Sequence, residues 1–278
     1  MPDIACLNGT FSFLEEARVP VNDRGFLFGD GVYEVIRTYG TRVFRLDAHL
    51  ERLERSLREV RITVPWNREQ MGDWIHQGIA RAAYRDSKIY IQVTRGVAPR
   101  EHAFPKVPPT TLVTVSDIHP LPESLRSDGV AVRSTPDIRW GRCDIKSLNL
   151  LPNILARQEA LDNGCFEALF VADGGEVREG AGSNLFAVID GRVVTPQLGT
   201  HLLAGVSRAC LLEVAGSLNL PVVERPVTMA ELLAADEVFL SGTTIEVVPV
   251  TRIDGHPVGD GKPGPVTIRL MGAFPPPN

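Results

Sequence analysis

The sequence predicts an α+β protein with two domains, of which the second is the richer in strands. With 278 residues, 44% of them hydrophobic, the chain can build a large core and divides most simply into two domains of ordinary size. Both amphipathic helix patterns and alternating strand patterns occur. A proline-containing stretch without a hydrophobic period predicts a linker at 119–125, between domains at 1–118 and 126–278.

The N-terminal domain is predicted to begin with a strand hairpin. Asn8-Gly9 has the composition of its tight turn. Asp47 is a candidate N-cap for a helix with regularly spaced leucines, and Asn67 is a candidate N-cap with Gln70 as its capping-box partner. The predicted elements after the hairpin are helices at 47–61 and from 67 onward, and strands at 88–94 and 110–116.

The C-terminal domain is predicted to consist mainly of strands. Gly164 suits the position after a helix, Asp190-Gly191 suits a two-residue hairpin, and Thr228 with Glu231 forms a capping box. The predicted elements are strands at 130–134, 138–147 and 167–172, helices at 151–163 and 206–218, and a short helix opened by residue 228. The proline-rich end, residues 274–278, is predicted to fray.

Charge and composition exclude several classes of function. The formal charge is −5 and basic residues are spread among acidic ones, which does not fit a nucleic-acid surface. No apolar run approaches the roughly 20 residues that span a bilayer, and the N-terminus lacks a secretory pattern. The four cysteines lie far apart without histidines at metal-ligand spacing. These features predict a cytoplasmic protein with reduced thiols, no metal site and no membrane partner.

Lys146 stands in an apolar, strand-like run, IRWGRCDIKSLNLL, that leads directly into a predicted helix. Burying an ammonium without a partner is unfavourable, so such a lysine tends to lose its proton or to form an ion pair. A neutral lysine amine is a nucleophile that forms a Schiff base with an aldehyde. The alternative is an exposed lysine at a loop edge, which is the commoner situation for this residue type.

A lysine that binds pyridoxal phosphate requires a carboxylate for the pyridine nitrogen and a cation for the substrate carboxylate. Glu179 lies in a turn-rich loop just before an apolar strand and is the candidate acid, although a solvated hairpin carboxylate is the alternative. Arg100 and His102 lie in one loop between prolines, and arginine can bind a carboxylate through two parallel hydrogen bonds. The alternative for this loop is an exposed polar surface.

Three features are candidates for binding the phosphate. Residues 203–207 end at the start of a predicted helix, where free backbone N–H groups and the Ser207 hydroxyl suit an anion. Residues 241–244 offer hydroxyls and amides between two apolar strands. Arg52 supplies a positive charge, although an arginine on a helix is usually solvated.

Five segments, in the same order along nearly the whole chain, resemble the class IV pyridoxal-phosphate aminotransferases. They are DRGFLFGDGVYEVIRTY (23–39), YIQVTRGVAPREHAFP (90–105), DIRWGRCDIKSLNLL (137–151), EGAGSN (179–184) and SGTTIEV (241–247). The RxH motif formed by Arg100 and His102 is the most specific of these features. It is similar to the motif that marks the D-amino acid transaminase branch of the family.

The resemblance implies a role for each candidate residue. Lys146 is the Schiff-base lysine, and Glu179 is the partner of the pyridine nitrogen. Tyr33, Arg100 and His102 bind the substrate carboxylate, the last two from the neighbouring subunit of a homodimer. The other cofactor-binding residues that it implies are Arg52, Leu203, Val206, Ser207, Thr243 and Thr244, with Leu203 against the cofactor ring.

The resemblance also implies an architecture and a reaction. The architecture is fold type IV, with a small N-terminal α/β domain, a larger barrel-like C-terminal domain carrying Lys146, and pyridoxal 5′-phosphate at their interface. The reaction is ping-pong transamination between D-amino acids, of the D-alanine and D-glutamate type, and 2-oxo acids. The sequence departs from the serine-rich turn of the family at Ala181-Gly182-Ser183, which offers fewer hydroxyls to the phosphate.

Other functions stay open on the sequence. Branched-chain L-amino acid transaminases and (R)-amine transaminases of the same fold share the GDGVYE and lysine segments in looser form. A non-catalytic protein that binds pyridoxal phosphate is an alternative from another class, although a carrier needs no pair of residues for a substrate carboxylate.

Overall fold

The computed structural model describes residues 1–274, so residues 275–278 of the predicted frayed end lie outside the described chain. The chain divides into two compact units. The first contains residues 1–119 and also residues 145–149, and the second contains residues 120–144 and the chain from 150 onward. Within residues 1–274, no helix combines the length and the apolar composition needed to cross a membrane.

Residues 1–119 form one antiparallel sheet of six strands, in the order β2-β1-β6-β5-β3-β4. The strands are β1 (Ile4–Leu7), β2 (Thr10–Phe13), β3 (Gly31–Tyr39), β4 (Arg42–Val43), β5 (Ser87–Thr94) and β6 (Thr110–Asp117). The helices are α1 (Arg24–Phe28), α2 (Leu46–Glu59) and α3 (Arg68–Ala82), and a 3-10 turn covers Leu14–Glu16.

The core of the first unit lies between this sheet and the two long helices. In β5, Ile89, Ile91 and Val93 are fully buried, because alternate side chains of a strand point to the same face. Leu53 of α2 and Ile75 of α3 pack in the same core. The unit therefore has a hydrophobic core of its own.

In the second unit, residues 120–144 and 150–274 form a mixed sheet of ten strands, in the order β12-β11-β10-β14-β15-β7-β8-β9-β13 with β16 beside β15. The strands are β7 (Val130–Pro136), β8 (Glu167–Val171), β9 (Glu176–Gly180), β10 (Asn184–Ile189), β11 (Arg192–Thr195), β12 (Val222–Glu224), β13 (Val227–Thr228), β14 (Glu237–Gly242), β15 (Glu246–Ile253) and β16 (His256–Pro257). The helices are α4 (Ser124–Ser127), α5 (Leu151–Asp162), α6 (Val206–Ser217), α7 (Met229–Leu233) and α8 (Pro265–Ala273).

Cross-strand packing and a helical crossover hold the second sheet together. Phe186 of β10 and Phe239 of β14 face each other in register and stack with ring centres 5.0 Å apart, and both are buried. Parallel strands need a long connection, and α5 lies in the connection between the parallel pair β7 and β8. The unit is therefore the strand-rich part of the α+β fold that the sequence predicts.

Local sequence signals identify several element ends correctly. The Asn67 side chain accepts the Gln70 N–H at the start of α3, and Thr228 with Glu231 forms the capping box of α7. Asp190-Gly191 connects β10 to β11 as predicted. The predicted N-cap at Asp47 is wrong, because α2 begins at Leu46 after a residue in the left-handed conformation.

The strand predicted at 138–147 is also wrong. Arg139 folds back onto the carboxylate of Asp137, and Arg142 folds back onto that of Asp144, with Nε–oxygen distances of 2.9 Å in both pairs. These pairs join residues only two positions apart, so they accompany turns and not a paired strand.

Residues 145–149 instead pair with the edge of β3. The Tyr33 N–H donates to the Lys146 carbonyl at 2.9 Å, and the Leu148 N–H donates to the Gly31 carbonyl at 3.0 Å. These bonds attach the lysine segment to the first unit, whereas Lys146 is expected from the resemblance to belong to the C-terminal domain. The linker at 119–125 stays a prediction.

Gly31 gives a test of this edge pairing. A Cβ at Gly31 would lie 2.5 Å from the Val93 carbonyl oxygen and 2.8 Å from Cδ1 of Leu148. We expect Gly31→Ala to lower the free energy of unfolding, measured in urea, by about 1–3 kcal/mol because it overpacks the site. The control is Gly72→Ala in α3, whose added Cβ would meet only Cδ2 of Leu46 at 4.0 Å. Equal losses in the two variants would contradict the prediction.

Candidate active site

Lys146 lies over the ring of Tyr33. Its Nζ is 4.1 Å from the ring centre, and its backbone N–H donates to Oγ of Ser56 at 3.3 Å. The ring of Tyr90 is 5.8 Å from that of Tyr33, and its hydroxyl donates to Oε1 of Gln92 at 2.6 Å. Burial, with a smaller effect of Tyr33, raises the pKa of Tyr90 to about 12. Lys146 is thus half-buried, with its amine beside the Tyr33 ring and its backbone held at both N–H and C=O.

A buried cluster of charged groups lies in the same unit, formed by Glu34, His49 and Arg52. Arg52 donates from Nε and Nη2 to the two carboxylate oxygens of Glu34, at 2.7 and 2.8 Å. Nδ1 of His49 lies 2.9 Å from Oε2 of Glu34. The Glu34 side chain is 0% exposed and that of Arg52 is 8% exposed. This two-bond geometry makes an arginine–carboxylate pair both strong and directional.

The charges within this cluster are set by its members. Burial raises the pKa of Glu34, but the charge of Arg52 and the hydrogen bonds from Arg52 and His49 outweigh burial and hold this pKa well below its usual range. Burial is the largest effect on His49 and lowers its pKa despite the nearby carboxylate. At neutral pH, Glu34 is therefore ionised, and the neutral His49 ring donates its Nδ1–H to it.

Helix spacing explains why α2 presents these groups together. His49, Arg52 and Ser56 are three and four residues apart, so they share one face of the helix. That face packs on β3, which carries Glu34. A single helix face therefore contacts both the buried carboxylate and the backbone of Lys146.

Glu179 is the centre of a second buried cluster, in the second unit. Its Oε1 accepts a hydrogen bond from Nη1 of Arg139 at 2.6 Å. Its Oε2 accepts from the Leu203 N–H at 3.1 Å and from Nδ2 of Asn184 at 3.3 Å. The side chain of Glu179 is 7% exposed. The structure thus makes Glu179 a fixed, buried carboxylate and excludes the solvated hairpin alternative.

Arg139 is itself held on several sides. It donates to both oxygens of Asp137 at 2.9 Å, and to the His201 carbonyl at 3.0 Å. Burial lowers the pKa of Arg139, but the carboxylates of Asp137 and Glu179 raise it further and leave it above its ordinary value. A permanently charged arginine favours the ionised form of Glu179.

The start of α6 is the first candidate phosphate site. The helix begins at Val206, and Gly205 before it has no side chain to cap the first-turn N–H groups. A Cβ at Gly205 would lie 1.9 Å from Oδ1 of Asn184, so the close approach of this segment requires glycine. Ser207 is buried in the first turn, and the backbone of Leu203 contacts Glu179 and Asn184.

The turn between β14 and β15 is the second candidate phosphate site. Ser241 pairs in register with Asn184, so the turn lies at the same end of the sheet as the Glu179 cluster. Thr243 is half-buried and Thr244 is exposed. Within residues 1–274, Oγ of Ser241 is buried and has no hydrogen-bond partner.

Arg100 and His102 lie on a loop, residues 99–104, between β5 and β6. Both side chains are exposed. The Arg100 guanidinium is 4.9 Å from the centre of the Phe28 ring, and the His102 ring is 5.7 Å from it. Their aromatic contact is therefore with Phe28, whereas Tyr33 contacts Lys146 and Tyr90.

Sequence reasoning missed three buried partners of the predicted residues. Glu34 binds Arg52, while Arg139 and Asn184 bind Glu179. Two signals were present: Glu34 is an acid within an apolar strand run next to Tyr33, and Arg139 belongs to the same run as Lys146. An ionised side chain in an apolar run needs a partner when it is buried.

Known proteins place the chain in a family. The family model of amino-transferase class IV matches residues 31–253. Relatives named D-alanine aminotransferase from Staphylococcus haemolyticus and Bacillus licheniformis are each 40% identical, over 96% of this chain and 95% and 94% of theirs. The chain belongs to the class IV aminotransferases, which are enzymes that use pyridoxal 5′-phosphate.

Solved structures give the same fold. A branched-chain amino acid aminotransferase from Escherichia coli superposes with a TM-score of 0.93 and 28% identity, over 99% of this chain and 94% of that one. A second branched-chain enzyme, solved with pyridoxamine 5′-phosphate, has a TM-score of 0.90 and 30% identity, over 99% and 93% of the two chains. The predicted fold type IV architecture is confirmed.

The residues present fit this cofactor. Lys146 offers a primary amine for an aldehyde, and Glu179 offers an ionised carboxylate for a protonated ring nitrogen. The uncapped first turn of α6 suits a phosphate, and a ligand oxygen would give the buried Ser241 hydroxyl a partner.

Glu34 should matter far more to stability than an exposed carboxylate in a similar pair. We expect Glu34→Gln to lower the free energy of unfolding by about 3–5 kcal/mol, because it removes the carboxylate charge that binds the buried Arg52 through two hydrogen bonds. The control is Glu54→Gln, which breaks the exposed pair with Arg68 and should leave the urea midpoint nearly unchanged. Similar midpoints for the two variants, measured on cofactor-free protein, would contradict this prediction.

Proposed function

We propose that this enzyme transfers the amino group between D-amino acids, of the D-alanine and D-glutamate type, and 2-oxo acids by a ping-pong mechanism. The observation that carries the proposal is the pair Arg100 and His102, two cationic or proton-donating groups presented on an exposed loop where a carboxylate can reach them. The name of the relatives that are 40% identical supports the same substrate class.

Lys146 is proposed to hold the cofactor aldehyde through a Schiff base and then to move the substrate proton. Pyridoxal phosphate, when bound, withdraws electrons from the Cα–H bond of the amino acid. The Nζ of Lys146 would then take the Cα proton as a general base and would give it back as an acid. The backbone bonds at Ser56 and Tyr33 support this role because they fix the chain at the residue that carries the amine.

Glu179 is proposed to accept the hydrogen bond of the cofactor's pyridine nitrogen and so to keep that nitrogen protonated. The contact with Arg139 supports this role, because a carboxylate held ionised is the form that favours a protonated partner. Leu203 is proposed to pack on the cofactor ring, and its N–H also orients Glu179.

The phosphate is proposed to bind the first turn of α6 and the turn after β14. The proposed ligands are the amide of Val206, the hydroxyls of Ser207, Thr243 and Thr244, and the guanidinium of Arg52. The bidentate pair with Glu34 supports the proposed role of Arg52 as a phosphate ligand, because this pair fixes the direction of the guanidinium.

The substrate carboxylate is proposed to bind Tyr33 of one subunit and Arg100 and His102 of the other, in a homodimer. The exposed apolar side chains of the first unit support a second copy of the chain as the partner. Val21 and Phe26 are each 77% exposed, and Phe104 beside the RxH motif is 51% exposed. Surfaces of this kind mark protein interfaces. The cytoplasm is the proposed location, which the four free thiols support.

A branched-chain L-amino acid transaminase is the second candidate, and the TM-score of 0.93 to an enzyme of that name favours it. An (R)-amine transaminase is the remaining alternative within this fold. All three share the fold and the cofactor, so only the amino donor distinguishes them.

The donor can be identified from the cofactor spectrum of the purified, cofactor-loaded protein. We expect D-alanine to change the visible absorbance, because it converts the cofactor, and L-leucine and (R)-1-phenylethylamine to leave it unchanged. Lys146→Ala should abolish the reaction with every donor. If only L-leucine or only the amine converts the cofactor, the proposed D-amino acid substrate class is wrong. If none of the three donors converts it, a non-catalytic protein is favoured.

A mixed dimer tests whether Arg100 acts across subunits. We expect Arg100→Ala to raise KM for D-alanine about 100-fold, because a charged hydrogen-bond partner of the substrate is lost. Lys146→Ala alone should be inactive. In mixed dimers of the two variants, one site combines a wild-type lysine with a wild-type arginine, so a wild-type KM should return. A KM that stays high in the mixture would contradict the shared site.

A further inference from the structure

A half-buried carboxylate, Asp30, lies between two buried arginines next to the 99–104 loop. Nε of Arg24 donates to Asp30 at 2.8 Å, and Arg95 donates to both oxygens of Asp30 at 2.8 and 2.9 Å. The side chains of Arg24, Asp30 and Arg95 are 4%, 15% and 8% exposed. Burial raises the pKa of Asp30, but the two arginines outweigh it and lower this pKa. The ionised carboxylate of Asp30 therefore binds the guanidinium groups of both Arg24 and Arg95.

Arg24 uses its other two nitrogens on the 99–104 loop. Nη1 donates to the carbonyl of Glu101, and Nη2 donates to the carbonyl of His102 at 3.4 Å. Its guanidinium also lies 4.8 Å from the centre of the Phe28 ring, against which Arg100 and His102 rest. One buried side chain thus contacts both the backbone of the loop and the ring that supports its side chains.

Arg95 shares Asp30 but, within the described residues 1–274, makes no hydrogen bond to the backbone of the 99–104 loop. It donates to the carbonyls of Val60 and Arg61 at 2.8 and 3.1 Å, and its guanidinium is 3.6 Å from the centre of the Phe104 ring. Arg95 therefore links Asp30 to the end of α2 and contacts the loop only through the ring of its last residue, whereas Arg24 links Asp30 to the peptide units of the RxH motif.

We infer that Arg24, oriented by Asp30, is a positioning residue for the substrate carboxylate, acting through the carbonyls of Glu101 and His102. The inference rests on the proposed function of Arg100 and His102. The segment between β5 and β6 contains Pro99, Pro105, Pro108 and Pro109, which have no N–H to donate. These prolines reduce the number of backbone donors in the segment, and Arg24 supplies side-chain donors to two of its carbonyls. A loop fixed in advance loses less entropy when it binds a ligand.

The test compares Arg24→Lys with Arg95→Lys in the cofactor-loaded enzyme. Lysine keeps the charge and the number of trypsin sites, but it lacks the fork that reaches Asp30 and two carbonyls together. We expect Arg24→Lys to raise KM for the amino donor about 10- to 100-fold, with kcat and the cofactor spectrum close to wild type. Arg95→Lys should change KM much less, because its carbonyl acceptors lie at the end of α2 and it contacts the loop only through the Phe104 ring, not through the backbone at Glu101 and His102.

Tryptic cleavage after Arg100 is a second readout that does not depend on activity. We expect about tenfold faster cleavage in Arg24→Lys than in Arg95→Lys, because the loop opens more often without its side-chain donor. Asp30→Asn, which weakens the partner of Arg24, should act in the same direction and serves if Arg24→Lys does not fold. Equal changes of KM or of cleavage in the two lysine variants overturn the inference. If D-amino acids are not converted, the proposed substrate class fails, and the cleavage rates still decide the role of Arg24.

Discussion

Two backbone hydrogen bonds at the edge of β3 determine where Lys146 lies. β4 pairs only with the last residues of β3, so the first residues of that strand have an open edge, which residues 145–149 fill. Unpaired backbone groups at a strand edge are unfavourable when buried, so the pairing satisfies both segments. The backbone of Lys146 is thus bound at both its N–H and its C=O, so this pairing fixes the position from which its side chain reaches the Tyr33 ring.

Each of the two units contains a buried carboxylate that is stabilised by an arginine. Glu34 and Glu179 are each buried, and each accepts hydrogen bonds from an arginine and from a further donor. Removing a carboxylate from water is unfavourable unless its oxygens are paired, and the arginine charge keeps it ionised. The two clusters differ in how many side chains are linked to the buried carboxylate. Arg139 is itself bound by Asp137, so the charge around Glu179 is fixed by a chain of three side chains.

Sequence reasoning succeeded where the interaction is local. The capping pairs at Asn67 and Thr228 join residues three positions apart, so spacing alone identifies them. The pairs Arg52–Glu34 and Arg139–Glu179 join residues 18 and 40 positions apart, and Arg24 reaches a carbonyl 77 positions away. Periodic patterns in a sequence do not predict pairs between residues so far apart along the chain. The roles given to the candidate residues came from resemblance and not from spacing, and the strand predicted around Lys146 failed because short-range ion pairs replaced the expected ladder.

The alternation of side chains along β3 has a consequence for how this enzyme can diverge. Tyr33 and Glu34 are neighbours in the strand, so they point to opposite faces, one beside Lys146 and the other toward α2. Inserting or deleting one residue between them and the strand end would exchange the faces and place a carboxylate where a phenol ring now stands. Side chains of the 99–104 loop do not alternate between two faces in this way, because its residues are not paired in a ladder. A change in length by one residue would therefore reverse the faces of the strand, whereas the loop has no alternation of faces to lose.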